Sequence, residues 1–369
     1  MRIAQVSPLY ESVPPRLYGG TERVVYNLAE ELCRMGHEVT LFASGDSVSS
    51  AELVPGFSEA LRLGQVKETI APHIYMFERV KALAENFDII HFHTEYLHFG
   101  IVRDLPVPVV TTMHGRLDLP EYADLFREFR DTPLVSISLN QRRPLPAQNW
   151  VGNVYHGLPL NLIPFYPKPE GYLAFLGRIS PEKGVEDAIE IARKTGLKLQ
   201  IAAKIDESEK NYAKSLEAQL SSPWVEFIGE ISDREKPDFL GGASALLFPI
   251  RWPEPFGIVM IEALAAGTPV IAYGAGSVPE VIRNEETGFI VNSVDEACEA
   301  VDAILYRRAI SRRVCRRDFE SRFSSRRMAK DYLDVYRRVI AQKSQQPHAS
   351  PAVAARLDWR GGMNEVGSP

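Results

Sequence analysis

The sequence predicts an α/β protein that contains two doubly wound, Rossmann-like parallel sheets. Short apolar runs alternate with amphipathic helical segments, and this alternation occurs in two consecutive series. A proline-rich stretch without helical periodicity, residues 159–171, separates the series and is the candidate linker. Because such sheets bind ligands at the carboxyl ends of their strands, two of them in tandem predict a cleft between two ligand-binding edges.

Composition limits the classes of function. The 369 residues are enough for two domains, and no run of eighteen apolar residues predicts a membrane span. A net charge of −6 argues against a general nucleic-acid binder, which needs a basic surface. The N-terminus enters a strand without the pattern of a signal peptide, and the three cysteines are scattered. We therefore expect a reducing, cytoplasmic environment.

The first series, residues 1–160, is expected to form the N-terminal domain. It opens as a βαβ unit, in which Val24, Leu28 and Leu32 recur at helical spacing and give the first helix one buried face. The segment 51–69 shows no clear pattern. Helices are predicted at residues 21–35 and 73–86, and strands at residues 2–6, 38–42, 88–93, 107–112, 134–137 and 151–155.

The second series, residues 161–325, is expected to form the C-terminal domain. Beyond it, the Ala, Pro, Ser and Gly content of residues 342–369 predicts a flexible tail. Strands are predicted at residues 172–176, 197–202, 225–228, 245–248, 270–272 and 288–291. Helices are predicted at residues 183–195, 207–220 and 233–241, with a further helix that begins at Pro255 and ends at Gly267.

The helix predicted to begin at Pro255 suggests a ligand site. Proline in the first turn lacks only an N–H that would be unpaired there, so the amides of Phe256, Gly257 and Ile258 are expected to be free at the positive end of the helix. Such an end binds anions. Two carboxylates flank it, Glu254 and Glu262. A ligand with hydroxyl groups and a phosphate would suit these groups.

Two cations belong to the loop that leaves the first strand of the second series. Arg178 and Lys183 precede a predicted helix, where a forked guanidinium and a point charge can both reach a diphosphate. Ordinary surface charge is the alternative. With the carboxylate pair on a neighbouring strand edge, we favour a phosphate site. In the first series, Gly19 and Gly20 precede a helix and can bring backbone amides close to a phosphate, or can simply form a turn.

Several histidines follow or belong to predicted strands of the first series. His93, Glu95 and His114 fall at carboxyl ends of strands, where polar groups meet substrate. A metal site formed by His91, His93, His98 and His114 is disfavoured, because no Cys, Asp or Glu stands at ligand spacing. For His114 alone, a structural hydrogen bond is the main alternative.

An arginine-rich block lies near the end of the chain. Residues 307–327 contain nine arginines, which could face a membrane surface or an anionic acceptor. We favour solvated helix faces with partners four residues away.

Four segments and an N-terminal YGG together resemble GT4-family retaining glycosyltransferases of GT-B fold. They are EPFGIVMIE at residues 254–262, LGRISPEKG at 176–184, GSVPEVI at 276–282 and ETGFIV at 286–291. The resemblance covers most of the chain in the expected order, and the spaced glutamates are its most specific part. It implies a GT-B fold with a final helix, residues 326–341, that crosses back onto the N-terminal domain, and closure about a hinge near residues 159–171.

The resemblance also implies roles for individual residues. Glu254 would contact the donor sugar, Glu262 would hold the ribose hydroxyls, and His114 would lie beside the reacting sugar. The diphosphate would be neutralised by Arg178 and Lys183. Further donor contacts are implied for Gly19, Gly20, Gly177, Phe256, Gly257, Ile258 and Val259. Candidate base or acceptor contacts are Lys204, Ile228, His93 and Glu95.

The expected chemistry is transfer of a hexose from a nucleotide-diphosphate sugar to a hydroxyl acceptor. UDP is the commonest choice in the family. No Asp-x-Asp pair supplies metal ligands, so we expect neither a metal nor a cofactor. Without an obvious carboxylate nucleophile, attack on the same face as the leaving phosphate is favoured.

The acceptor is less defined by the sequence. The N-terminal domain has no long apolar stripe to dock a lipid, which favours a small soluble molecule or a glycan. The alternatives are an epimerase or hydrolase on the same fold, and a non-catalytic nucleotide-sugar binding protein.

Overall fold

The computed structural model describes residues 1–16, 19–64, 66–103 and 105–345. Within these ranges the chain forms two parallel sheets with helices on both faces. The predicted flexible tail, 342–369, lies outside the described residues except for residues 342–345, which continue the last helix.

The first sheet is entirely parallel and has the strand order β3-β2-β1-β4-β5-β6-β7. Its strands are β1 Arg2–Val6, β2 Glu38–Ser44, β3 Glu52–Phe57, β4 Ile89–Phe92, β5 Val109–Thr112, β6 Leu134–Ser136 and β7 Trp150–Asn153. The helices of this part are α1 Gly20–Arg34, α2 Ile70–Ala82, α3 Phe99–Val102 and α4 Tyr122–Glu128.

Strand β3 lies in the segment that the sequence left unassigned. It is an edge strand, and it contains Pro55 and Gly56. Proline lacks the donor that a central strand needs, and it is tolerated at a sheet edge. Pro55 and Gly56 are tolerated at the edge of a sheet, but they also make the strand hard to recognise in the sequence.

The second sheet is also parallel, with the order β10-β9-β8-β11-β12-β13. Its strands are β8 Tyr172–Arg178, β9 Leu199–Lys204, β10 Val225–Gly229, β11 Ala243–Phe248, β12 Val270–Tyr273 and β13 Gly288–Val291. The remaining helices are α5 Val185–Thr195, α6 Lys210–Ser215, α7 Glu217–Leu220, α8 Lys236–Gly242, α9 Ile258–Ala266, α10 Val278–Val281, α11 Val294–Leu305, α12 Arg312–Arg322 and α13 Ser325–Gln345. The order reverses between β8 and β11, which is where such sheets bind ligands.

The last helix returns to the first sheet. Met328, Tyr332, Tyr336 and Val339 are buried in one core with apolar residues of α1 and β5. The two connections between the sheets lie side by side, because the amide of Leu158 donates to the carbonyl of Phe323 at 2.8 Å. The chain thus leaves the first sheet and returns to it at one place.

Four of the nine arginines in residues 307–327 bond to other parts of the structure. Arg312, Arg316, Arg322 and Arg327 donate to backbone carbonyls of other segments. The last three also pair with acidic residues four positions away, as expected for helix faces. The other five arginines of the block are exposed. None of the helices in the described ranges has the length and apolar content to cross a bilayer.

Arg312 provides a test of this structural role. Its guanidinium donates to the carbonyls of Tyr166, Gly241 and Ala243 and to Thr268 Oγ1, at 2.7 to 2.8 Å. We expect Arg312→Met to lower the free energy of unfolding by about 3 kcal/mol, because buried acceptors lose a charged donor. Urea unfolding measures this difference. The neighbouring exposed Arg313→Met should change it by less than about 0.5 kcal/mol, and equal effects of the two substitutions would contradict the role.

Candidate functional site

A cleft lies between the carboxyl edges of the two sheets and encloses a cavity of about 390 Å³. Both domains contribute side chains or backbone to its wall. The predicted site residues that line it are Gly19, Gly20, His114, Gly177, Arg178, Lys183, Lys204, Glu254, Phe256, Gly257, Ile258, Val259 and Glu262. The structure does not place Ile228, His93 and Glu95 among the lining residues.

The prediction that a helix begins at Pro255 is wrong. Helix α9 begins at Ile258, and Gly257 before it has φ 73°. This left-handed conformation cannot continue a helix, so Pro255 and Phe256 belong to the preceding turn. Since the amide of Met260 donates to the Gly257 carbonyl at 3.0 Å, the amides that α9 can offer a ligand are those of Ile258 and Val259.

The turn before α9 is held by the loop after β12. A Cβ atom on Gly276 would lie 2.3 Å from the nitrogen of Glu254 and 2.4 Å from its carbonyl oxygen, so only glycine permits this approach. The amide of Ser277 then donates to the Glu254 carbonyl at 3.0 Å. The motif that begins at Gly276 therefore fixes the backbone of the predicted sugar contact.

Glu254 is paired with a cation inside the cleft. Its Oε2 accepts from Lys183 Nζ at 2.5 Å and from Trp252 Nε1 at 3.1 Å. The side chains of Lys183 and Glu254 are only 14% and 13% exposed. The Lys183 ammonium also lies 5.4 Å from the centre of the Trp252 ring, which adds a cation–π contact. Lysine and glutamate thus neutralise each other where diphosphate and sugar are expected.

Glu262 is almost fully buried, and its partner was not predicted. Lys236 Nζ, in the first turn of α8, donates to Glu262 Oε1 at 2.8 Å and lies 3.3 Å from Asp233. Asp233 also pairs with Arg23 from the first domain. An ionic chain therefore runs from α1 across the cleft to the predicted ribose contact.

Arg178 and Lys204 share an acidic partner beside the cleft. Arg178 lies 3.2 Å from Asp206 and 3.0 Å from Glu182, and Lys204 lies 3.2 Å from Asp206. Burial acts to raise the pKa of Asp206, but the hydrogen bonds from Lys204 and Arg178 lower it overall. Both cations lie at the carboxyl ends of adjacent strands, β8 and β9.

Ile228 does not reach the cavity because of a local irregularity in the sheet. The register between β9 and β10 shifts between Phe227 and Gly229, and the side chain of Ile228 is 44% exposed. The next residues of this edge, Glu230 and Ile231, line the cavity instead.

The sequence analysis also missed residues of both domains that face the cleft. His156 lies three residues after the end of β7, and its ring stacks on that of His114 with centroids 5.4 Å apart. Inspection of the residues that follow every predicted strand would have identified His156, Glu230 and Ile231. No local pattern identifies the remaining charged residues of the lining, which are Arg16, Arg23, Asp233 and Lys236.

His93 and Glu95 lie behind His114 rather than in the cavity. The Nδ1 of His93 lies 2.9 Å from His114 Nε2. One carboxylate oxygen of Glu95 accepts from the amides of His114 and Gly115 at 2.9 and 3.0 Å. Glu95 has φ 51°, an unusual backbone for a residue with a side chain. Both residues therefore position His114 and make no direct contact with the cavity.

Two histidines of the disfavoured metal site, His91 and His98, use both ring nitrogens in hydrogen bonds. Both ring nitrogens of His91 have hydrogen bonds at 2.7 Å, to Tyr336 and Thr112, and both of His98 bond to threonine hydroxyls. Imidazoles with both nitrogens in use cannot bind a metal. Within the described residues, no group of three or more His, Cys, Asp or Glu side chains is arranged to hold a metal ion.

Burial sets the protonation of His114. It lowers the pKa of this histidine to about 3, so the imidazole is neutral at physiological pH. A neutral imidazole has one donor and one acceptor, and it can hydrogen-bond a sugar hydroxyl without acting as an acid.

Comparison with known proteins agrees with this geometry. Residues 18–143 match the model of Glycosyltransferase Family 4, and residues 164–318 match that of Glycosyl transferases group 1. A phosphatidyl-myo-inositol mannosyltransferase of Mycobacterium leprae is 26% identical over 334 residues, which cover 83% of this chain and 87% of that protein.

Solved structures with lower identity show the same fold. Sucrose-phosphate synthase from Thermosynechococcus elongatus has a TM-score of 0.75 at 20% identity, over 93% of this chain and all (100%) of that chain. The Anabaena protein HepE, solved in complex with UDP and glucose, has a TM-score of 0.70 at 19% identity, over 92% of this chain and 100% of that chain.

The two facing parallel sheets and the cleft between them are those of the GT-B fold. With both family models matched in order, the chain belongs to the GT4-type glycosyltransferases.

The buried carboxyl of Glu95 predicts a pH dependence of stability. Burial raises its pKa from 4.5 to about 7, so the folded protein binds more protons at Glu95 than the unfolded chain does between these values. The contribution of Glu95 to the free energy of unfolding is therefore full below pH 4.5 and is lost as pH rises through about 7.

We expect the stability of Glu95→Gln relative to the wild type to increase over this pH range, because glutamine keeps an acceptor oxygen but does not ionise. Urea unfolding at a series of pH values measures the difference. Burial also raises the pKa of Glu22 to about 7, but Glu22 is present in both proteins and its effect cancels. The exposed Glu121→Gln should give a constant difference, and a constant difference for Glu95→Gln would exclude the effect.

Proposed function

We propose that this protein is a retaining, metal-independent glycosyltransferase that moves a hexose from a UDP-sugar to a hydroxyl acceptor. The observation that carries the proposal is the convergence of Arg178, Lys183 and the first amides of α9 on one cavity that also contains Glu254 and Glu262. These groups suit the diphosphate and the two sugar rings of a nucleotide sugar.

The proposed donor position follows from the order of these groups along the cleft. The diphosphate would lie against the Ile258 and Val259 amides, with the ribose at Glu262 and the hexose between Glu254 and His114. The base would lie beyond Lys204, near Ile231. The complex of HepE with UDP and glucose supports UDP as the carrier, and the mannosyltransferase name of the M. leprae relative supports a hexose.

Donor binding would exchange the ion pairs of the cleft. The diphosphate competes with Glu254 for Lys183 Nζ, and this exchange releases the Glu254 carboxylate to accept from sugar hydroxyls. The buried pair of Lys236 with Glu262 leaves the second oxygen of that carboxylate for the ribose. Diphosphate binding and sugar recognition would therefore be coupled through Lys183.

The chemistry requires stabilisation of the leaving group. As the bond between the anomeric carbon and the diphosphate breaks, negative charge develops on the phosphate oxygens, and Arg178, Lys183 and the end of α9 would stabilise it. In same-face attack, a donor phosphate oxygen takes the proton of the acceptor hydroxyl. The chain's own cations provide this stabilisation, so a divalent metal is not required.

The acceptor would enter through a second cavity of about 370 Å³, which shares the lining residue Pro255 with the first. Arg116, Gln141 and Arg143 of the first domain line it, together with Pro253 and Gly276 of the second. Gln141 Nε2 donates to the carbonyls of Met113 and Gly115, on either side of His114. This polar lining beside the reacting sugar suits a small soluble acceptor or a glycan end.

Nucleotide binding provides the first test. We expect UDP to raise the melting temperature of the protein, because the folded state alone binds it. Arg178→Ala should weaken UDP binding by about 10- to 100-fold, as expected for a lost charge-assisted contact, in isothermal titration. Arg193 is the matched control, because it belongs to the same domain and pairs with Glu190 on the surface. Equal affinities for the two variants, or no binding of any nucleoside diphosphate, would refute the site.

Product analysis provides the second test. With a UDP-hexose and a panel of soluble acceptors, we expect a new glycoside with the anomeric configuration of the donor, and the same rate in the presence of EDTA. NMR of the anomeric proton measures the configuration. Inverted product, loss of the rate in EDTA or a glycosyl adduct trapped on Glu254 would each contradict part of the proposal. Free sugar or an epimerised donor would instead indicate a hydrolase or an epimerase.

A further inference from the structure

A buried hydrogen-bonded chain connects His114 to the last helix. We propose that Gln5, His93 and Tyr336 hold His114 in the tautomer that is protonated on Nε2, so that Nδ1 offers a lone pair. The tautomer is a property of the free protein. Its use in recognition of a sugar hydroxyl rests on the proposed function.

The contacts form an unbroken series. Tyr336 OH lies 2.9 Å from Gln5 Nε2, Gln5 Oε1 lies 2.9 Å from His93 Nε2, and His93 Nδ1 lies 2.9 Å from His114 Nε2. Gln5, His93 and Tyr336 are fully buried. Water therefore does not compete for these groups, and each must find its partner within the series.

The direction of the series follows from Gln5. Its amide nitrogen donates to Tyr336, and its carbonyl oxygen can only accept, so His93 must donate from Nε2. A neutral imidazole carries one proton, which leaves Nδ1 of His93 as an acceptor. His114 must then donate from Nε2, and its own Nδ1 is left without a proton.

Both imidazoles are neutral, as this deduction requires. Burial lowers the pKa of His93 well below its usual value, and the nearby rings of His91, His114 and His156 lower it further. The groups facing His93 are the ring of His91 at 4.0 Å, the ring of His114 at 5.1 Å and the Gln5 amide. A second proton on His93 would place a positive charge in a fully buried position.

The other end of the series agrees with this direction. Tyr336 accepts from Gln5 and can donate its own proton to Nδ1 of His91, at 2.7 Å. His91 then donates from Nε2 to Thr112 Oγ1, also at 2.7 Å. Each hydrogen bond of the series from Thr112 to His114 thus has one donor and one acceptor.

The tautomer decides what His114 can recognise. In the described part of the chain no hydrogen bond involves its Nδ1, and the ring lines the cleft with a minor part of its surface exposed. With a lone pair there, His114 accepts a hydrogen bond from a hydroxyl group and cannot donate one. Gln5, His93 and Tyr336 are accordingly positioning residues, since none of them lines the cavity.

Nitrogen NMR of the ligand-free protein with isotope-labelled histidine tests the assignment directly. Comparison with a His114→Asn spectrum identifies the His114 ring signals. We expect a protonated Nε2 and an unprotonated Nδ1 for His114 in the wild type. A protonated Nδ1, or a mixture of tautomers, in the wild-type protein would overturn the proposal.

Tyr336→Phe and Tyr332→Phe form a matched pair of variants. Both tyrosines are buried on α13, but among the described residues the Tyr332 hydroxyl hydrogen-bonds Thr112, at 3.0 Å, and not Gln5. We expect Tyr336→Phe to release the Gln5 amide and mix the two tautomers of His114, whereas Tyr332→Phe should retain the wild-type tautomer. Retention of a single tautomer in both variants would overturn the role of Tyr336.

Kinetic measurements distinguish a failure of the tautomer proposal from a failure of the proposed function. Where transfer is detected, Tyr336→Phe should lower kcat by about five- to tenfold, which corresponds to roughly one weakened hydrogen bond, with little change in KM for the donor. Equal kcat values for Tyr336→Phe and the wild type would contradict the functional use of the tautomer. If no transfer is detected at all, the proposed function fails, while the NMR result still decides the tautomer.

Discussion

The geometry of the donor side depends on the close approach of Gly276 to the backbone of Glu254. Any side chain at this glycine would overlap the nitrogen and the oxygen of Glu254, at 2.3 and 2.4 Å. This contact places the turn that ends at Gly257, and the left-handed Gly257 sets where α9 starts. The position of Glu254, the free amides at the start of α9 and the position of Glu262 about one turn further on all follow from it. Rigid elements therefore fix the proposed ligand contacts before any ligand binds.

The cations of the cleft are paired even without a ligand. Lys183 has Glu254, Lys236 has Glu262, and Lys204 has Asp206. Buried charges need such partners, because an isolated one would cost several kcal/mol. An anionic ligand that binds one of these lysines must therefore displace the carboxylate that is already paired with it. At Lys183 the displaced group is the one that the proposed mechanism needs for the sugar, so one exchange serves both binding and recognition.

The sequence predicted the sheets and the motifs well where the signal is local. Apolar runs identified every strand except β3, and the spacing of Glu254 and Glu262 identified one wall of the cleft. It failed where conformation depends on distant residues. Nothing near Lys236 indicates that it meets Glu262, and nothing near Ile228 reveals the shift in register. Similarly, the nine arginines in residues 307–327 suggested exposed helix faces, whereas four of them donate hydrogen bonds to backbone carbonyls of other segments.

Because the two connections between the sheets meet at one place, a rotation of the domains would break some contacts of the cleft and keep others. Leu158 exchanges two backbone hydrogen bonds of 2.8 Å with the turn between α12 and α13, so both connections pass through one short segment. A rotation about this segment would separate Arg23 from Asp233 and open the cleft. Helix α13 would move with the first sheet, because Tyr336 is buried in that core. The network that orders the proton on His114 would therefore stay intact in open and closed states, while the ionic chain to Glu262 would form only on closure.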